Sequence, residues 1–160
     1  TEFKRLNLEA DNIYADAGGL GLPMCDAIRE AGWDIHRVNF GAAAHQSDKY
    51  ADRATEMWVE FARMVELNKV VMPADDVLHQ QLTTRLLQYN GRGKLKAEAK
   101  DAMKKRGLSS PDRADALVLA FCGAGQSLEQ FIAKGYAKRP SLDDMEDELA
   151  AAVGSGCWTG

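Results

Sequence analysis

The segment NIYADAGGLGLPMCDAIREAGWDIHRV, residues 12–38, constrains the fold of this chain more than any other stretch. Residues 13–15 have strand character, three glycines follow in a tight turn, and Pro23 suits the first turn of a helix, where its missing N–H costs nothing. Apolar residues then recur at helical spacing up to Gly32, where the helix is predicted to end. A strand, a helix and a second strand in this order predict parallel strands and an α/β fold.

Apolar spacing predicts further helices and strands downstream. Residues 48–68 and 75–90 each carry an apolar stripe at three- and four-residue steps, which is typical of amphipathic helices. Residues 91–100 alternate between charged and apolar side chains, as a half-exposed strand does. A further helix is predicted to begin with Ser110 as its N-cap and Pro111 at its first helical position.

Composition excludes several classes of protein. The chain has 160 residues, 46% hydrophobic and 28% charged, which is typical of one globular domain with a core of its own. The net charge is −4, so a surface that binds nucleic acid has to be a local patch. Cys25, Cys122 and Cys157 form no CxxC pair and are interpreted as reduced thiols of a cytosolic protein. No apolar run in the sequence is long enough to cross a bilayer.

Asp16 is the first candidate for a functional residue. It ends the first predicted strand, where the chain leaves the sheet for the glycine turn. Ligands of open α/β sheets bind just beyond the carboxyl ends of parallel strands, so a carboxylate there is well placed for function. The alternative is that Asp16 caps the following turn by accepting hydrogen bonds from its own downstream N–H groups.

Two further carboxylates lie in SSPDRADALVLAFCG, residues 109–123, at the start of an apolar helix. Asp112 and Asp115 are three residues apart and therefore share one side of the helix. Together with Asp16 they would supply oxygen ligands for magnesium or manganese, and two such ions can activate water for phosphodiester hydrolysis. Alternatively, Asp112 only complements the helix dipole, and Asp115 is bonded to backbone or to an arginine such as Arg113.

A run of basic residues precedes this helix and is a candidate nucleic-acid-binding surface. On a strand and its flanking loop, these side chains could follow a phosphate backbone next to the carboxylates. The alternative is a solvated basic face that is balanced by Glu98 and Asp101. The candidate residues are Arg92, Lys94, Lys96, Lys100, Lys104, Lys105 and Arg106.

Four segments in order resemble the nuclease domain of the large terminase subunit of tailed bacteriophages and prophages. They are IYADAGGLGLPMCDAIREAGWDIHRVNFG, YADRATEMWVEFARMV, VVMPADDVLHQQL and GKLKAEAKDAMKKRGLSSPDRADALVLAF, and the resemblance covers roughly residues 12–121. The most specific part is SPDRADAL after a lysine-rich stretch. The second is the glycine turn that follows a strand ending in aspartate.

The resemblance implies a ribonuclease-H-like fold, a mixed central sheet flanked by helices, with acidic residues that bind two Mg²⁺ or Mn²⁺ ions. It implies a metal-dependent endonuclease that cuts concatemeric double-stranded DNA during genome packaging in the cytoplasm of the host bacterium. ATP belongs to a motor domain N-terminal to the nuclease, so no cofactor-binding residues other than metal ligands are expected here. Implied partners are double-stranded DNA, the portal protein and the small terminase subunit.

The resemblance also assigns roles to positions of this sequence. Asp16 matches the acidic residue at the end of the family's fourth strand, and Asp115 matches its final metal-binding aspartate. Asp112 is either a second ligand or a residue of the helix start. Lys94 and its neighbours fall where the family has a strand or hairpin beside the site.

One departure from the family pattern is serious. The family's first catalytic aspartate lies on the first strand of the sheet, and no residue before Asp11 can stand in for it. We therefore expect residues 1–125 to be a partial ribonuclease-H-like domain that lacks its N-terminal strands, and residues 126–160 to be a helical, acidic tail. Metal binding and activity should be weak. The exposed strand edge should accept a partner strand, for example from a second copy of the chain.

Two other classes of function compete with the nuclease. A docking module would bind the portal or the motor through its helices and through the acidic run at residues 143–148, and Asp115 would then be only structural. A nucleotide-binding protein would use AGGLG, residues 17–21, but the turn matches neither G-x-G-x-x-G nor a Walker loop. Glycines that let a strand and a helix pack closely explain that turn equally well.

Overall fold

Helices and short strands alternate along residues 2–122, the part of the chain that this computed structural model describes. A single 3₁₀ turn at Ala10–Asn12 precedes the first strand. In chain order the elements are α1 (Glu2–Arg5), β1 (Tyr14–Asp16), α2 (Gly21–Glu30), β2 (His36–Val38), α3 (Arg53–Glu66), α4 (Asp76–Thr84), β3 (Leu87–Tyr89), β4 (Leu95–Ala97), α5 (Lys100–Lys105) and α6 (Asp112–Ala120).

The predicted strand–helix–strand unit is confirmed. β1 and β2 pair in parallel, with Tyr14 opposite His36, and α2 connects them. A Cβ atom on Gly21 would lie 1.9 Å from the carbonyl oxygen of Asp16, so only glycine lets α2 begin this close to the end of β1. The helix ends before Gly32, whose φ of +89° is in the left-handed region that glycine adopts without strain. Close packing of the strand and the helix therefore explains part of the glycine turn.

The second half contains a β-hairpin that corrects the sequence prediction. The helix predicted over residues 75–90 ends at Thr84, and Leu87–Tyr89 pairs antiparallel with Leu95–Ala97. Hydrogen bonds to β4 outweigh the weak helical periodicity of this stretch, since strand formation depends on tertiary context. Within residues 2–122 the strands form two separate pairs rather than one mixed sheet, and a parallel bridge joins Tyr50 to Leu95.

The hydrophobic core lies between α3, α4 and α6, and both strands of the parallel pair contribute to it. Tyr14, Val38 and Phe40 pack against this core from β1, β2 and the following loop, and α6 contacts β1 directly. The strand that ends in Asp16 and the helix that begins at Asp112 are thereby held against each other. The buried residues of the core are Met57, Trp58, Phe61, Leu78, Ala114, Val118, Leu119 and Cys122.

Several sequence predictions concern residues outside the described part. The boundary at residue 125, the tail 126–160 and the acidic run all lie there. Within residues 2–122, Cys25 and Cys122 are free and buried, and no helix is long and apolar enough to cross a membrane. In that part of the chain β1 has β2 as its one strand neighbour, so its other edge has no strand partner.

Candidate functional site

Asp115 lies in the first turn of α6 and is buried, with 8% of its side chain exposed. One carboxylate oxygen, Oδ1, accepts hydrogen bonds from Trp58 Nε1 at 2.9 Å and from Arg85 Nη1 at 3.0 Å. A buried carboxylate needs such compensation, because desolvation of an unpaired charge is costly. The arginine beside Asp115 is Arg85 and not Arg113, whose guanidinium bonds Asp75 at 2.7 Å.

The other oxygen of Asp115, Oδ2, is buried and faces Lys100. Lys100 Nζ lies 2.8 Å from it and forms an ion pair. Burial alone would lower the pKa of Lys100, but the interactions with Asp115 and Asp112 outweigh it and raise that pKa above its usual value. The ammonium of Lys100 is therefore charged and neutralises the carboxylate.

Asp112 is exposed at the start of α6 and contacts the same lysine. Its Oδ1 accepts a hydrogen bond from Ser110 Oγ at 2.7 Å and lies 3.3 Å from Lys100 Nζ. The bond from Ser110, with a further contribution from Lys100, lowers the pKa of Asp112. Lys100 thus joins two of the three carboxylates that the sequence predicted to act together, Asp112 and Asp115.

The start of α6 is capped in a way the sequence did not predict. Pro111 occupies the N-cap position and the helix begins at Asp112, one residue later than expected, so Ser110 is not the cap. Gln81 from α4 caps the helix instead, because its Oε1 accepts hydrogen bonds from the backbone N–H groups of Arg113 at 3.0 Å and Ala114 at 3.1 Å. The sequence gives no local sign of this cap, because Gln81 lies 32 residues before Arg113.

Asp16 lies at the end of β1, as predicted, and its carboxylate is exposed. Oδ1 accepts a hydrogen bond from Gly18 N at 2.8 Å, which is the local turn-capping arrangement considered as the alternative. Within residues 2–122, no three histidine, cysteine, aspartate or glutamate side chains come together as a metal site would require. The catalytic and metal-binding roles of Asp16, Asp112 and Asp115 therefore stay predictions.

Arg85 is a central residue of the site that the sequence analysis missed. Its Nε donates to the Glu98 carbonyl at 3.0 Å, its Nη1 donates to Asp115, and its guanidinium lies over the Trp58 ring, 4.8 Å from the centroid. Because residue 85 fell inside a predicted helix, nothing in the local pattern singled it out. The structure instead places it in the extended connection between α4 and β3.

The structure divides the predicted basic surface into two groups. Lys100 and Arg106 are occupied by carboxylates, the latter by Glu98 at 2.6 Å, and Lys104 lies 4.0 Å from Asp101. The Arg106 hydrogen bond also lowers the pKa of Glu98. A second group makes no side-chain hydrogen bond or ion pair within residues 2–122: Arg92, Lys94, Lys96 and Lys105.

None of the protein-family models matches this sequence, and no curated protein matches it either. Several solved structures from bacterial virus Sf6 are similar to it. The nuclease domain of the large terminase subunit gp2 superimposes with a TM-score of 0.57 at 22% sequence identity. Lysine-to-alanine variants of that domain give a TM-score of 0.57 at 20% identity with manganese and 0.54 at 22% identity with calcium.

Each of these matches covers 67% of this chain and 63% of the solved domain, so the chain spans less than two thirds of the structures it matches. At this level of identity the similarity establishes a shared fold. It confirms the ribonuclease-H-like class predicted from the sequence. The chain has the fold of the nuclease domain of phage large terminase subunits.

Proposed function

We propose that this chain acts as the nuclease domain of a phage or prophage terminase large subunit and cuts concatemeric double-stranded DNA during genome packaging. The observation that carries the proposal is the buried Asp115 carboxylate, which Arg85 and Lys100 contact at the helix start of a terminase-nuclease fold. A buried carboxylate needs a compensating positive charge, and a divalent cation would supply it in place of Lys100.

A divalent cation would bind at Asp115 in place of Lys100, with further carboxylates as ligands. Magnesium and manganese prefer oxygen ligands, and Asp115 offers a carboxylate, with Asp112 in the same helical turn. Asp16 would supply the next ligand from the end of β1, which packs against α6. A bound ion would polarise the scissile phosphate and favour ionisation of the attacking water. Solved relatives contain manganese or calcium, which supports divalent binding without choosing the metal.

The unpaired basic side chains supply a surface for DNA beside this site. Arg92 lies in the turn of the β3–β4 hairpin, and Lys94 and Lys96 follow it two residues apart, so both lysines project from one face of the hairpin. Such a row contacts phosphates without reading bases. We propose it as the DNA-contacting group, with Lys105 adding charge at the end of α5.

The remaining partners follow from the proposed role. The portal protein, the small terminase subunit and an ATP-driven motor domain would act with this chain in the cytoplasm of the host bacterium. Strand addition at the unpaired edge of β1, from a second copy or another segment, would extend the parallel sheet.

The decisive experiment replaces Asp115 with its neutral isostere in the full-length protein. Asp115→Asn keeps an oxygen that can accept from Trp58 and Arg85 but removes the charge that a metal requires. We expect cleavage of plasmid DNA with Mg²⁺ or Mn²⁺ to fall at least about a hundredfold, with an unchanged circular dichroism spectrum. Asp34→Asn, an exposed carboxylate paired with Arg29, is the matched control. Cleavage at the wild-type rate in Asp115→Asn would exclude Asp115 as a ligand.

The same contacts favour a second candidate, a docking module without catalysis. Arg85 and Lys100 already compensate the charge of Asp115, as they would in a purely structural ion pair. In that case Asp115→Asn would change stability and leave any cleavage activity of the full-length protein untouched.

A further inference from the structure

We propose that Tyr89 stacks on an unpaired base of DNA, so that the β3–β4 hairpin binds DNA with frayed or single-stranded ends more tightly than fully paired duplex. The inference rests on the proposed function and deepens it, because it names the form of DNA that the hairpin favours. It concerns an uncharged side chain that phosphate contacts by the neighbouring lysines do not explain.

The first step is the exposure of the ring. Tyr89 is the last residue of β3 and is 76% exposed. Among the described residues no other aromatic ring or cation stacks on it. Leu87, which is 49% exposed, lies on the same face of the strand two residues earlier. The outer strand of the hairpin therefore presents a flat apolar surface that nothing in this part of the chain covers.

The second step is the rigidity of the hairpin that carries the ring. Directly after Tyr89, Asn90 Oδ1 accepts hydrogen bonds from the backbone N–H groups of Arg92 at 2.9 Å and Lys94 at 3.0 Å. Leu95, opposite Tyr89, also bonds the backbone of the loop before α3 on its other side. The ring is therefore held on a fixed backbone, and a contact with it orders little additional chain.

The third step is the charge around the ring. Residues 87–97, LQYNGRGKLKA, carry three cations and no carboxylate. The pairing places Gln88 and Lys96 on one face of the hairpin and Tyr89 on the other. A two-stranded ribbon that enters a groove or a fork in DNA contacts nucleic acid on both faces. The cations can then hold a phosphate backbone while the ring meets a base, and this combination favours a polyanion with aromatic faces over an apolar protein surface.

The fourth step concerns the form of the DNA. Inside a duplex both faces of each base are covered by its neighbours, and opening a step costs free energy. At a frayed end or in a single strand this cost is small, and stacking on an aromatic side chain adds affinity whatever the base. We therefore expect a preference for unpaired ends that does not depend on the sequence of the DNA.

The test measures DNA binding by the full-length protein in EDTA, so that neither metal nor cleavage contributes. The probes are a blunt duplex and the same duplex with a thymine overhang. Tyr89→Ala should bind the overhang duplex about tenfold more weakly than wild type does and the blunt duplex equally well. Tyr89→Phe keeps the ring and should keep the preference. Val71→Ala, which truncates a 97% exposed side chain outside the hairpin, is the matched control.

Two further readouts separate stacking from charge. The slope of log K against log salt should be the same for Tyr89→Ala and wild type, because no phosphate contact is lost. A fluorescent adenine analogue in the overhang, whose emission falls when it stacks, should lose emission on binding wild type or Tyr89→Phe. Its emission should fall much less on binding Tyr89→Ala.

The outcomes distinguish this inference from the proposed function. If wild type binds both probes equally, or if Tyr89→Ala keeps the preference for the overhang, the stacking role is wrong, and cleavage of DNA by the full-length protein still supports the nuclease. If Tyr89 confers the preference but the full-length protein does not cleave DNA with Mg²⁺ or Mn²⁺, the nuclease is wrong and the stacking role stands. If wild type binds neither probe, both are wrong.

Discussion

At the scale of single residues, the charge balance around Asp115 depends on a lysine that a metal ion would replace. Lys100 is the half-exposed partner of the buried oxygen Oδ2, whereas Arg85 is buried with the carboxylate. Removal of Lys100 therefore leaves the charge of Asp115 only partly compensated. Without Lys100, no ammonium would compete with a divalent cation for Oδ2 of Asp115.

We expect Lys100→Ala to be less stable than wild type by about 1–2 kcal/mol without metal, because a buried charge loses a partner. Added Mn²⁺ should raise the melting temperature of this variant more than that of wild type, since binding no longer displaces an ammonium. Differential scanning fluorimetry with and without Mn²⁺ measures both effects. Lys104→Ala, on the same helix, is the control, and equal Mn²⁺ shifts in all three proteins would contradict the competition.

The residue scale also shows what the sequence could not predict. Asp115 was recognisable because a carboxylate followed directly by apolar residues requires compensation. Its partners were not recognisable, because Trp58 and Arg85 lie 57 and 30 residues away and meet Asp115 only through tertiary packing. Gln81 was missed for the same reason, since it caps a helix that begins far downstream.

At the scale of elements, the helices and strands that local sequence signals mark were predicted correctly. The β1–α2–β2 unit is marked by glycine and proline, and the amphipathic α3 by strong periodicity, so both were predicted correctly. Residues 87–89 were predicted as helix, because so short a stretch fits the apolar spacing of a helix and that of a strand equally well. Pairing with β4 makes the stretch a strand. The loop between β2 and α3 is fixed by a buried charge that no periodicity reveals.

Glu56 is that charge, and it makes the stability of this loop depend on pH. Burial would raise the pKa of Glu56, but hydrogen bonds from the Gln46 and His45 backbone and from Arg53 outweigh it and lower the pKa in the folded protein. A lowered pKa stabilises the fold at pH values above the unfolded value of 4.5, and this contribution is lost as the pH falls through the folded value.

We therefore expect Glu56→Gln to cost about 1–3 kcal/mol at pH 7, where the native carboxylate is fully ionised. The difference from wild type should shrink as the pH falls below about 4.5. Urea unfolding from pH 3 to pH 7 measures it. Glu66→Gln, an exposed residue at the end of α3, is the control, and a difference independent of pH would show that the charge of Glu56 is not what stabilises the loop.

At the scale of the whole molecule, a chain of net charge −4 can bind DNA only through a local concentration of positive charge. Of the seven basic residues predicted to bind DNA, three form ion pairs with carboxylates within residues 2–122. Most of the others lie on the β3–β4 hairpin. Phosphate contacts release counterions, so each one should appear in the salt dependence of binding whatever the DNA sequence.

Charge reversal on the hairpin tests this local surface. We expect Lys94→Glu with Lys96→Glu to weaken binding equally for unrelated DNA duplexes and to reduce the slope of log K against log salt by about two, one unit for each lost phosphate contact. Fluorescence anisotropy at several salt concentrations gives the slope. Lys4→Glu on α1, compared with Lys94→Glu alone, is the matched control for a change in net charge. An effect confined to one DNA sequence would mean that the hairpin reads bases, and a slope equal to that of wild type would mean that DNA binds elsewhere.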